Sequence, residues 1–215
     1  MTTGPPAHGP ARQRKAIRSP LAGVIAAWFA APGLLAGGCS VNVAPLPRAT
    51  LACSVTPGPN GANCNRDTAS FLSVGSFGNV ARNEPMRSVE NGGEEGEWTV
   101  STSCSVVPRD DGFDVALSAQ LIGQRGKLLT ARGFLVPNAE PQPDLSVTLG
   151  DSEDRYAQKN CVARYATDEQ TVAAGRVWAE VTCPSAAPVD TSRQQDNKPI
   201  SCNAVLTLRF ENCKQ

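Results

Sequence analysis

Alternation with a period of two runs through the second half of the chain and restricts the fold more than any other feature. Trp98, Val100, Cys104 and Val106 fall on one side of an extended run, with Thr99, Ser101, Ser103 and Ser105 on the other. A strand sends successive side chains to opposite faces, whereas a helix needs a period near 3.6. The same pattern recurs at Phe113, Val115, Leu117, Ala119 and Leu121, then at Leu129, Ala131, Gly133 and Leu135. It returns at Leu145, Val147 and Leu149, at Cys161, Ala163 and Tyr165, and at Val177, Ala179, Val181 and Cys183. The last run is the longest, with Cys202, Ala204, Leu206, Leu208 and Phe210 on one face. Turn chemistry separates the runs, as at Asp110-Asp111-Gly112 and Gly123-Gln124-Arg125-Gly126. Seven such strands, mostly with one polar face, predict an all-β domain over residues 98–215. The expected architecture is an antiparallel β-sandwich stapled by disulfides, with a small β-barrel as the alternative.

Ahead of this domain lies a different kind of sequence. Residues 1–20 hold Arg12, Arg14, Lys15 and Arg18 and no acid. The uncharged apolar run Leu21–Gly38 follows and stops at Cys39. A basic stretch leading into a short apolar run reads as an export signal. Its interruption by Pro32 and its glycines make it marginal as a spanning helix, which wants roughly 20 strongly apolar residues. The end of the run, Leu35-Ala36-Gly37-Gly38-Cys39-Ser40, resembles the lipobox of bacterial lipoproteins. Small residues precede the cysteine as in that family, although Ala36 stands where the family favours leucine and Leu35 lies one place earlier. The resemblance implies that residues 1–38 are a signal peptide, that Cys39 is acylated, and that the chain is held on the outer face of a bacterial membrane. Release as a secreted or periplasmic protein is the alternative. Residues 39–97 then read as a tether and N-terminal extension, with Cys53 and Cys64 flanking the turn-rich Pro57-Gly58-Pro59-Asn60-Gly61.

In an exported chain, cysteines read as a disulfide framework. With Cys39 acylated, Cys53, Cys64, Cys104, Cys161, Cys183, Cys202 and Cys213 remain, an odd number that leaves one free or paired to another molecule. Without acylation four bridges become available. Cys202 and Cys213 cannot pair if the run between them is a strand, because 11 residues at ~3.3 Å each exceed the ~7 Å reach of a disulfide. The expected pairs are Cys53 with Cys64 and Cys183 with Cys202, leaving Cys161 to join either Cys213 or Cys104.

Residue supply excludes much chemistry. The only histidine, His8, lies in the leader, so histidine-based triads, Cys-His pairs and histidine-ligated metals are excluded from residues 39–215. No cysteine spacing suits a structural metal, and no cofactor motif is present. The leader removes four of the twenty basic residues and none of the twenty acids, leaving a net charge of −4 that argues against a nucleic-acid partner. Asp110, Asp111 and Asp114 read as turn chemistry, Asp151, Glu153 and Asp154 as a solvated loop, and Glu94, Glu95 and Glu97 as loop solvation. Trp178 shares the outward face of its strand with Glu180 and Thr182, which makes it a candidate interaction residue unless residues 53–90 cover it. The expected function is a non-catalytic binding or structural module of the bacterial envelope, with a membrane lipid held through Cys39 and a protein or glycan partner. A hydrolase using carboxylates alone, or an accessory subunit of an envelope complex, is the alternative.

Overall fold

Each alternating run forms a strand, because one apolar face per strand can be buried only by pairing edge to edge and closing that face against itself. A computed structural model describes residues 45–59, 64, 68–123, 125–137, 140–190 and 200–215. All lie within one unit, Val43–Gln215. The strands are β1 (Arg48–Pro57), β2 (Thr68–Val74), β3 (Val89–Glu90), β4 (Glu94–Glu95), β5 (Trp98–Arg109) and β6 (Gly112–Ile122). They continue with β7 (Lys127–Leu135), β8 (Gln142–Gly150), β9 (Arg155–Arg164), β10 (Thr171–Ala173), β11 (Arg176–Pro188) and β12 (Cys202–Glu211). One antiparallel sheet runs β2-β1-β12-β11-β9-β8-β7-β6-β5-β4, with β10 added to β11 and β3 to β1. The chain is therefore all-β, as the alternation predicts.

The sheet is barrel-like and nearly closed, and the closure can be traced along one strand edge. β5 pairs with β6 on one side over its whole length. On the other side its start pairs with β4, and Val100 exchanges hydrogen bonds with Gly92 and Gly93. Thr102 N donates to Asn91 Oδ1 at 2.9 Å, while Lys214 bonds to Cys104 and Val106. Segment 89–95 in turn reaches β1 through β3. An edge that would otherwise offer unpaired backbone groups is thus occupied.

Two expectations about residues 39–97 are corrected. Residues 48–52, read as tether, begin β1, which pairs with β12 from Arg48↔Glu211 to Pro57↔Cys202. Ala49, Leu51, Cys53 and Val55 are inside, each at most 2 % exposed. The core of the domain therefore starts some fifty residues before Trp98 in sequence, because β12 buries both edges and needs a partner besides β11. The glycine-rich segment 90–97, read as a loop, also contributes β4 and the end of β3. From Trp98 onward only the three-residue β10 adds to the expected strands. The inward residues there match the alternation: Leu129, Ala131, Val181, Ala204, Leu206, Leu208 and Phe210 are fully buried. Each buried leucine contributes about 2 kcal/mol by removal from water.

The cysteine pairs differ from expectation. The bridges are Cys64–Cys202, Cys104–Cys213 and Cys161–Cys183, and Cys53 is a buried free thiol. Cys64 lies 5.0 Å from Cys202, Cα to Cα. Cys202 opposes Pro57, four residues along β1 from Cys53. At ~3.3 Å per residue that places Cys53 ~13 Å away, beyond disulfide reach, so the expected Cys53–Cys64 pair cannot form. Cys183 opposes Ala204 on β12 but lies directly across from Cys161 in the register of β9 and β11, so its bond goes there and not to Cys202. Cys202 and Cys213 do sit at opposite ends of β12, unpaired with each other.

Candidate functional site

The outer face around Trp178 is built by three neighbouring strands. Trp178 on β11 opposes Arg209 on β12 and Thr171 on β10. Outward parity on an antiparallel sheet brings these side chains together above the same patch. The Arg209 guanidinium lies over the indole at 5.0 Å from its centroid, a cation–π geometry. Its other contacts hold it there: Nη2 donates to Glu211 Oε1 at 2.7 Å, and Nη1 touches Met86 Sδ. Phe77 stacks on the indole with centroids 6.4 Å apart and planes 22° from parallel.

Phe77 and Met86 belong to the excursion between β2 and β3, and Ser88 of the same segment meets Thr50 of β1 at 2.8 Å between hydroxyls. This excursion lies on the outward faces of β1, β12 and β11, so Trp178 is half-buried under chain, as the covering alternative anticipates. Its indole Nε1 is buried without a hydrogen-bond partner among the described residues. A groove of about 400 Å³ remains beside it, with Asp168, Glu169, Arg176 and Glu211 on its walls. Asp168 and Glu169 are exposed and Glu211 is ion-paired with Arg209. That is an arrangement of solvated and neutralised carboxylates, which differs from the buried acid pair a carboxylate hydrolase would use.

The other candidate residues are dispersed. Asp110, in left-handed conformation with φ 50°, and Asp111 form the two-residue turn between β5 and β6. Asp114 pairs with Arg109 at 3.0 Å. Asp151 is 6 % exposed, so the solvated-loop reading fails for it. Its Oδ1 accepts from Glu153 N and Asp154 N at 2.9 and 3.0 Å, which pins the turn between β8 and β9. Glu95 is likewise more than a solvating side chain: it accepts two hydrogen bonds from Arg87 Nη2 and one from Gly75 N. Tyr156 is 2 % exposed inside the sheet. The Tyr165 hydroxyl donates to Val136 O at 3.2 Å, and burial pushes its phenol above the ordinary range against a hydrogen bond with Gln142.

Cys39 lies outside the described residues. Among the described residues no helix is long and apolar enough to cross a membrane. Three disulfides indicate an oxidising, non-cytoplasmic compartment. No protein-family model, curated protein or solved structure matches the chain.

Proposed function

We propose that the protein is an exported, lipid-anchored, non-catalytic binding or structural module of the bacterial envelope. The observation that supports this most is the distribution of its eight cysteines. Six are bonded to one another within the barrel, and Cys53 is enclosed as a free thiol. Cys39, at the end of the lipobox-like Leu35-Ala36-Gly37-Gly38-Cys39, therefore has no cysteine of its own chain left to pair with. The odd count that acylation leaves among the remaining seven is met by Cys53. A tethered β-domain whose groove carboxylates Asp168, Glu169 and Glu211 are solvated or ion-paired fits a module that binds or scaffolds.

Intact-mass measurement on the membrane fraction tests the reading. The expected species begins at Cys39 and carries acyl chains. Alkylation of the denatured, unreduced protein should then label one thiol per chain, that of Cys53. A chain beginning elsewhere without acyl groups, or labelling of two thiols, would overturn it.

A further inference from the structure

The excursion between β2 and β3 is an arm hinged on one edge of β1. Val74 pairs with Leu51 and Val89 with Ala49, while the opposite edge of β1 belongs to β12. Both ends of the arm are fixed in the core, with Val74 at 0 % and Val89 at 5 % exposure. Between them, residues 75–88 contribute no buried residue. The arm nevertheless has its own hydrogen-bonded frame. Ser76 and Arg87 exchange two backbone bonds of 2.8 Å, and Asn79 and Glu84 exchange two of 2.9 and 3.0 Å. At its base Gly75 takes φ 68°, and an added Cβ would come within 2.2 Å of Arg87 O, so the two limbs meet closely there.

Few contacts hold this frame down on the barrel. Phe77 stacks on Trp178, Met86 touches Arg209, and Ser88 bonds to Thr50. Thr50 has the outward parity of β1 yet is 0 % exposed, because the arm lies over it. Near the hinge, the Glu95 carboxylate accepts bonds from Gly75 N and Arg87 Nη2. The closed position also carries a cost. The Trp178 indole N–H is shut off from solvent and has no acceptor among the described residues. A buried donor left unpaired opposes the state that buries it. Lifting the arm returns that N–H to water and gives up little apolar burial. The β1–β12 and β11–β12 ladders beneath do not involve the arm and stay intact. Segments with few buried contacts are those that open below the free energy of global unfolding.

We infer that residues 75–88 form a hinged cover, which lifts as one piece while the barrel stays folded and so controls access to the Trp178 indole. The contact is autoinhibitory in kind. Phe77 occupies a face of the ring that a partner of Trp178 would need, and the cover must leave before that face is free. This goes beyond the proposed function and depends on neither the anchor nor a particular partner.

Native-state hydrogen exchange of the full chain, read by NMR at the Trp178 indole N–H, tests this. Its protection should fall at least ~100-fold below that of the Leu206 amide in β12. Dilute urea should speed it far less than Leu206, because opening the cover exposes little surface. The Arg87 amide, bonded within the arm, should stay better protected than the indole. Phe77→Ala removes the stack and should speed exchange of the indole about fivefold, with Leu206 unchanged. If Phe77→Ala fails to fold by circular dichroism, Phe77→Leu gives the same reading. Equal protection of the indole and Leu206, with the same urea dependence, would sink the proposal, because the face would then open only on global unfolding. So would an unprotected indole, which has no cover over it. Loss of the Arg87 amide together with the indole would sink it too, because the arm would then melt instead of lifting.

Discussion

Cys53 shows how one residue on a strand's inward face can carry the consequences of the whole core. It alternates with Leu51 and Val55, opposes Leu206 on β12 and Leu72 on β2, and is 2 % exposed. Burial disfavours the thiolate, so its titration moves from the ordinary 9.0 up to about 12, with Lys127 pulling weakly the other way. Below pH 9 the thiol is neutral whether folded or unfolded. Between pH 9 and 12 only the unfolded chain ionises, so it binds fewer protons than the native one and stability falls as pH rises. By pH 10 this loss is roughly 1 kcal/mol. Urea midpoints at pH 8 and pH 10 should therefore separate further in the native sequence than in Cys53→Ala. The raised phenol of Tyr165 acts in the same direction but is present in both proteins. Equal pH slopes in the two would show that the thiol is not held neutral by the core.

At the level of elements, what was legible in the sequence depended on whether the signal was local. Faces from Trp98 to Glu211 could be read residue by residue, because period-2 alternation is a property of one strand. The membership of β1 could not be read that way. Pro45 and Pro47 just before it suggest a tether, and only its pairing with β12 makes Leu51 and Val55 core. The excursion between β2 and β3 was equally opaque, since its residues are ordered by distant contacts. Phe77 meets Trp178, and Arg87 meets Glu95. The inward parity of Lys127 was legible too, because the set Leu129 and Ala131 extends backward onto it. The Glu95 carboxylate ties both Gly75 and Arg87 to β4. Charge-assisted bonds of this kind are stronger than neutral ones, though exposure of Arg87 weakens them. Glu95→Ala is expected to lower stability by about 1 kcal/mol, against less than ~0.5 for the exposed Glu94→Ala, measured by urea unfolding. Similar costs for the two would mean that the excursion is held by its packing alone.

Over the whole molecule, the bridges differ in how much chain they enclose. Cys161–Cys183 joins residues 22 apart, directly opposite on neighbouring strands, and adds a covalent link where the ladder already holds the chain. Cys104–Cys213 joins residues 109 apart and fastens the segment after β12 to the outer edge of β5, beside the hydrogen bonds of Lys214. In the chain-entropy model, cross-linking restricts the unfolded ensemble more for the larger loop, by about 5 kcal/mol against about 3. The larger bridge also guards the seam of the barrel, since without it two backbone bonds to Lys214 would have to keep residues 212–215 on β5. The double substitution Cys104→Ala/Cys213→Ala should therefore cost more stability than Cys161→Ala/Cys183→Ala, by roughly 1–2 kcal/mol in urea unfolding. It should also speed hydrogen exchange at the amides of Val106 and Lys214, while leaving the β9–β11 ladder protected. If the smaller bridge proves the more important, the seam is secured mainly by packing along segment 89–95, and the covalent closure of the barrel is secondary to it.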